Sequence, residues 1–109
     1  MENQHQVLFG RKVRAVRKAA HISREQAAEK SGITPNYMGE VERGEKWPSL
    51  DVICAIATAL NISPHVLFDF EDQETDPNVL IQMLHRMIDN RTTEQQQQAL
   101  RVLKGLFEV

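Results

Sequence analysis

Side chains able to make or break bonds are few in this 109-residue chain. Its histidines, His5, His21, His65 and His85, are scattered with no metal-ligand spacing. The lone cysteine, Cys54, rules out an intramolecular disulfide and a thiolate-rich metal cluster. It also falls in the apolar stripe of a candidate helix, the place of a small buried hydrophobe rather than a reactive thiol. No Gly-rich phosphate loop, nucleophile elbow or paired carboxylate in an evident pocket is present. Asp69, Glu71, Asp72, Glu74 and Asp76 form an acidic run, but it lacks the central glycine and final glutamate of a calcium loop. Neither catalysis, a metal nor a cofactor is expected.

The spacing with most content lies elsewhere, in Ser23–Arg43, SREQAAEKSGITPNYMGEVER. Ser23 reads as the N-cap of a helix over about residues 24–31, with Glu25 and Gln26 in its first turn, and Gly32 stands where the chain must leave it. Thr34 and Pro35 then occupy the N-cap and first-turn positions of a second helix, about 35–43. Ala28 supplies a small residue where two steeply crossed helices touch. Gly32 tolerates the positive φ of a tight turn, and Met38 and Val41 supply apolar anchors. The pattern is a helix-turn-helix and points to DNA.

The remaining chain must position that pair. Over Val7–Ala20, apolar residues recur at 9, 13, 16 and 20, as an amphipathic helix requires, with Arg11, Lys12, Arg14 and Lys18 on the other face. Met1–Gln6 shows no capping or packing logic. Arg17 falls beside the apolar stripe and needs a partner if buried. Gly44 caps the second helix of the motif. After the loop Glu45–Pro48, Ser49 caps a fourth helix whose stripe is Leu50, Ile53, Cys54, Ala57 and Leu60. Ser63-Pro64 opens a short fifth ending near Phe68, with Ile62 and Leu67 facing the core. These elements define a domain over residues 7–70, followed by an acidic linker over 71–77. Residues 78–109 read as a helical hairpin. Its first helix carries Leu80, Leu84, Met87 and Ile88 on one side. Its second, with capping-box spacing at Thr93 with Gln96 and equally at Thr92 with Gln95, carries Leu100, Leu103, Leu106 and Phe107.

The apolar fraction, 41%, is enough for a core, and no apolar run reaches the ~18 residues of a membrane helix. The amino terminus lacks a signal-peptide stretch, so a soluble, cytoplasmic protein with no membrane association is expected. The net charge of −2 is unevenly placed: nine Lys/Arg against six Asp/Glu over residues 1–47, four against nine over 48–109. The half that contains the helix-turn-helix is basic, as a nucleic-acid partner requires.

From about Phe9 to Phe68 the chain resembles the lambda-repressor-like, Xre-type helix-turn-helix family. The resemblance is carried by Ile22-Ser23, Ala28, Gly32-Ile33, Tyr37-Met38, Glu42-Arg43-Gly44 and Pro48-Ser49-Leu50, in that order. It implies an all-α fold, a five-helix DNA-binding domain to which the two C-terminal helices are appended. It also implies that the second helix of the motif enters the major groove while helix amino termini face phosphates. By position, Ser23 and Arg24 would meet a phosphate. Thr34, Pro35, Asn36 and Tyr37 would open the recognition helix, and Gly39 and Glu40 would lie a turn further along its exposed side. Arg43, Lys46 and Trp47 would border the backbone again. The family also pairs a first-helix arginine with the glutamate that ends the third helix, here Arg17 and Glu42, as a structural ion pair. Relatives often open both motif helices with glutamine, whereas here stand Arg24 and Pro35. Direct readout then narrows to Asn36, which can take adenine bidentately, and Glu40, which can accept from cytosine.

The expected function is a sequence-specific transcriptional regulator, more a repressor than an activator, binding double-stranded DNA as a homodimer paired through the hairpin. The alternative on the same fold is an antitoxin or adaptor whose partner is a toxin or another regulator, with Glu40, Glu42 and Glu45 as its best support.

Overall fold

A computed structural model describes residues 4–69 and two further positions, Gln97 and Arg101, both helical and exposed. Apart from those two positions, the linker 71–77 and the hairpin 78–109, with all eight of the apolar residues assigned to it, lie outside the described residues. Among the described residues there are four α-helices and no strand: α1 (Gln4–Ala19), α2 (Arg24–Ser31), α3 (Pro35–Glu42) and α4 (Leu50–Ala59). A 3-10 turn, Pro64–Phe68, stands where a fifth helix is expected. Five residues starting on a proline give too few i→i−4 bonds for an α-helix, so the tighter form suffices.

The starts of α2, α3 and α4 are fixed locally. The hydroxyls of Ser23, Thr34 and Ser49 accept from the backbone N–H of Gln26, Tyr37 and Val52 respectively. Each satisfies one donor that a helix end leaves open, worth about 1 kcal/mol. At Ser23 the bond is reciprocal, because the Gln26 side chain accepts from the Ser23 N–H at 3.0 Å and closes a capping box. The chain leaves its helices through left-handed residues at His21, Gly32, Gly44 and Asn61, with φ of 58°, 72°, 76° and 58°. Two of the four are therefore not glycine.

The helix α1 begins at Gln4, within the segment expected to lie outside any helix. A tertiary contact explains the difference: Gln6 Nε2 donates to the Gly44 carbonyl at 2.7 Å, and a Cβ on Gly44 would lie 2.8 Å from Val7 Cα. Gly44 thus serves both its turn and the docking of this first turn of α1. A second close approach lies one turn on, where a Cβ on Gly10 would collide with the carbonyl oxygens of Val41 and Glu42. Here the backbone of α1 rests on the end of α3.

The core is Phe9 and Val13 from α1, Ala27 and Ala28 from α2, and Met38 and Val41 from α3. Leu50, Ile53, Ile56 and Ala57 of α4, Leu60 at its end, and Leu67 and Phe68 of the 3-10 turn complete it. Phe9 is its hub, with ring centroids 5.0 Å from Trp47 at 68° and 5.3 Å from Phe68. Burial of a ring this size contributes about 1.5–3 kcal/mol, with the edge-on aromatic contact adding about 0.5–1.5. The expected stripe of α4 is corrected in one place. Ile56 is fully buried, whereas Cys54 is half-buried at the edge of the stripe. Likewise Ala20 is exposed rather than part of the α1 stripe. No helix among the described residues is long and apolar enough to cross a membrane.

Candidate nucleic-acid interface

Asn36, Gly39, Glu40 and Arg43 stand at i, i+3, i+4 and i+7 and so share one face of α3 and its last turn. The face is held from behind by Arg17 and Glu42. Arg17 Nε and Nη2 donate to the two Glu42 carboxylate oxygens at 2.7 and 3.0 Å, and its Nη1 donates to the Ile22 carbonyl at 3.0 Å. One guanidinium therefore ties α1, the α1–α2 connection and the end of α3. The side chains are 9% and 1% exposed, so both charges are taken out of water only as a pair. The hydrogen bond to Glu42 raises the Arg17 pKa further above its usual value, against the opposing effect of burial. This is the ion pair the resemblance implies.

The two arginines assigned to phosphates are also engaged. Arg24, at the start of α2, reaches across to Glu42 with Nε and Nη2 at 3.4 and 3.3 Å from Oε1. Glu42 thus holds two guanidiniums, one close and buried, one longer and partly exposed. Arg43 forms a fork with Glu45, at 2.9 and 3.3 Å, with both side chains about half exposed. That pair raises the Arg43 pKa and lowers that of Glu45. Between the arginines lies Gly39, buried beneath them rather than open on the helix surface. A Cβ there would sit 2.8 Å from Arg43 Nη1 and 3.7 Å from Arg24 Nη1. A glycine at this point lets both cations lie flat against α3.

The other assigned residues fall into three groups. Asn36 and Pro35 are exposed, Glu40 is half-exposed, and Asn36 Nδ2 donates to Glu40 Oε1 at 3.2 Å. Ser23 and Thr34 are exposed, but their hydroxyls accept from their own helices as caps. Tyr37 and Trp47 are half-buried against the core, and the contact with Phe9 sets the Trp47 ring. Lys46 is exposed beside it. Gly10, not singled out in the sequence, contributes as well by setting the depth of α3 against α1, and Glu45, read there only as support for a protein partner, holds Arg43. The i+2 spacing of Arg43 and Glu45 could have signalled that pair. No cluster that could hold a metal ion exists among the described residues.

Similarity to known proteins agrees with this geometry. The helix-turn-helix family profile matches residues 13–67, half of the chain. The chain belongs to the helix-turn-helix family of transcriptional regulators. Its matched segment has the DNA-binding helix-turn-helix fold of those regulators. It is 39% identical over 89 residues to an uncharacterised HTH-type transcriptional regulator of Mycobacterium tuberculosis, a match spanning 81% of this chain and 63% of that one. The chain therefore spans less than two thirds of that relative. It is 38% identical over 71 residues to the control protein C.BamHI of Bacillus amyloliquefaciens, covering 64% of this chain and 88% of that protein. In three dimensions it is similar to the restriction-modification controller protein C.AhdI of Aeromonas hydrophila. That match has a TM-score of 0.57 and 44% identity, and covers 58% of this chain and 96% of the other.

Proposed function

We propose that this regulator is a cytoplasmic repressor that binds a pseudo-palindromic operator as a homodimer, with α3 in the major groove. The observation that carries the reading is the single face of α3 that bears Asn36 in its first turn and Glu40 one turn on, with the guanidiniums of Arg24 and Arg43 close over Gly39. Bases would meet Asn36, with Pro35 and Tyr37 against a thymine methyl. Phosphates would meet Arg24 and Ser23 on one side and Arg43 and Lys46 on the other. The hairpin of residues 78–109 would pair two copies through Leu80, Leu84, Met87, Ile88, Leu100, Leu103, Leu106 and Phe107. That pairing would put two α3 helices about 34 Å apart, one turn of duplex. Glu42 is buried under two arginines, which favours DNA over a protein partner recognising exposed acids.

Selection of bound duplexes from a random pool, repeated at several salt concentrations, tests the proposal. A two-fold symmetric consensus whose affinity falls steeply with salt is expected, because phosphate contacts release counterions. A pool that yields no consensus, or binding that ignores salt, refutes it. Replacing Leu103 and Phe107 with polar residues should give monomers in sedimentation. A dimer that survives both substitutions places the pairing surface elsewhere.

A further inference from the structure

Asn36 and Glu40 both face outward from α3 and could each read a base independently. Their hydrogen bond points to a different division of labour. Asn36 Nδ2 donates to Glu40 Oε1 at 3.2 Å, one helical turn along. An ionised carboxylate has no proton to give, so only the NH2 end of the amide can face it. The contact therefore fixes which way round the Asn36 amide sits. One N–H is spent on Glu40. The second N–H and Oδ1 are left facing away from it, and these are the donor and acceptor needed for adenine N7 and N6.

We infer that Glu40 is a positioning residue, which sets the Asn36 amide for adenine and does not itself read a base. The inference rests on the reading of α3 as the DNA-recognition helix. Two features of the site agree with it. Glu40 lies within the electrostatic reach of Arg43, so its charge is partly balanced where it approaches the duplex. Neither Pro35 nor Gly39, its neighbours on this face, has a side-chain hydrogen-bonding group that could hold the amide instead. An amide without that carboxylate is free to flip end for end and to change rotamer. In the flipped state it offers adenine its groups the wrong way round.

The test uses the full chain and the consensus duplex chosen by the wild-type protein, with each base pair of a half-site varied in turn. For Glu40→Ala, the preference for adenine at the pair read by Asn36 should fall about two- to fivefold, as expected for an amide shared between two flips and several rotamers. Affinity for DNA of unrelated sequence should hold or rise, because a negative charge has been removed from the interface. Asn36→Ala should abolish the same preference, and adding Glu40→Ala to it should change nothing further at that pair. Loss of a cytosine preference at a different pair, with adenine preference intact, would show Glu40 reading a base directly and overturn the inference. So would an unchanged preference profile in Glu40→Ala. A wild-type chain that selects no duplex overturns the recognition-helix reading itself, an outcome distinct from either.

Discussion

The pair most worth breaking is Arg17–Glu42, because its cost follows from geometry. Arg17→Met keeps the length and apolar stem of the side chain but removes the guanidinium. Glu42, 1% exposed, then loses donors at 2.7 and 3.0 Å and keeps only Arg24 at 3.3 and 3.4 Å. The Ile22 carbonyl loses its 3.0 Å donor as well. Breaking one side of a buried pair costs about 3–5 kcal/mol. The remaining Arg24 contact puts this case near the lower bound, about 3 kcal/mol, or a fall in melting temperature of about 12–24 °C for a domain of this size. Arg24→Ala removes only the longer, partly exposed contact and should cost less than about 1 kcal/mol. Urea unfolding followed by helical circular dichroism measures both, and an unchanged m-value would confirm that the comparison is of stability. A double variant, Arg17→Met with Glu42→Leu, supplies the decisive control. It removes both buried charges and should recover much of the loss. The reasoning fails if Arg17→Met costs no more than Arg24→Ala, or if the double variant is as unstable as the single one.

Other outcomes can be checked alongside. Gly10→Ala should destabilise by about 1–3 kcal/mol in the same unfolding assay, because its Cβ meets backbone carbonyls of α3 that cannot step aside. Arg24→Ala should lower affinity for all duplexes alike and reduce the slope of log affinity against log salt by about 1, read from titrations at several salt concentrations. Burial raises the Cys54 pKa, with Arg101 opposing. Iodoacetamide should therefore modify the folded protein at neutral pH more slowly than it modifies the urea-unfolded chain. The Arg43 fork lowers the Glu45 pKa, so this pair's contribution is whole above the ordinary carboxylate range. It is lost as pH falls through the depressed value. Glu45→Gln should flatten that acid limb in a pH series of urea midpoints.

What could be read in advance was local. Ser23, Thr34-Pro35, Ser49, Gly32 and Gly44 announce helix ends through their own side chains or φ, and all stand where expected. Features set by contacts distant in sequence could not be read this way. Nothing near Gln6 shows that its amide will meet the Gly44 carbonyl, so the true start of α1 is invisible from the sequence. Gly10 looks like a weak point in a helix until the end of α3 is laid against it. On α4, a period of 3.6 residues accommodates either Cys54 or Ile56 in the stripe. The packing of α4 against α2 and the 3-10 turn chooses Ile56. The Arg17–Glu42 pair was accessible through the family resemblance, whereas the second arginine on the same carboxylate was not.

The acids of the interface have different consequences according to depth. Arg17, Arg24, Arg43 and Lys46 face Glu40, Glu42 and Glu45, a net charge of only +1. Glu42 cannot be displaced by a phosphate, because it is buried and shared between Arg17 and Arg24. It makes the base of the site rigid. Glu45 can be displaced, since a solvent-exposed pair of this kind holds Arg43 only weakly. On the proposed reading, Arg43 exchanges one oxygen-bearing anion for another at small cost, and only where a phosphate arrives in the right place. A weakly charged face of this design gives little non-specific affinity from one copy. Two copies held at a fixed spacing would multiply the contribution of correctly placed contacts and add little to binding at misplaced ones. The modest charge of the site is thus itself a reason to expect function from a pair of chains.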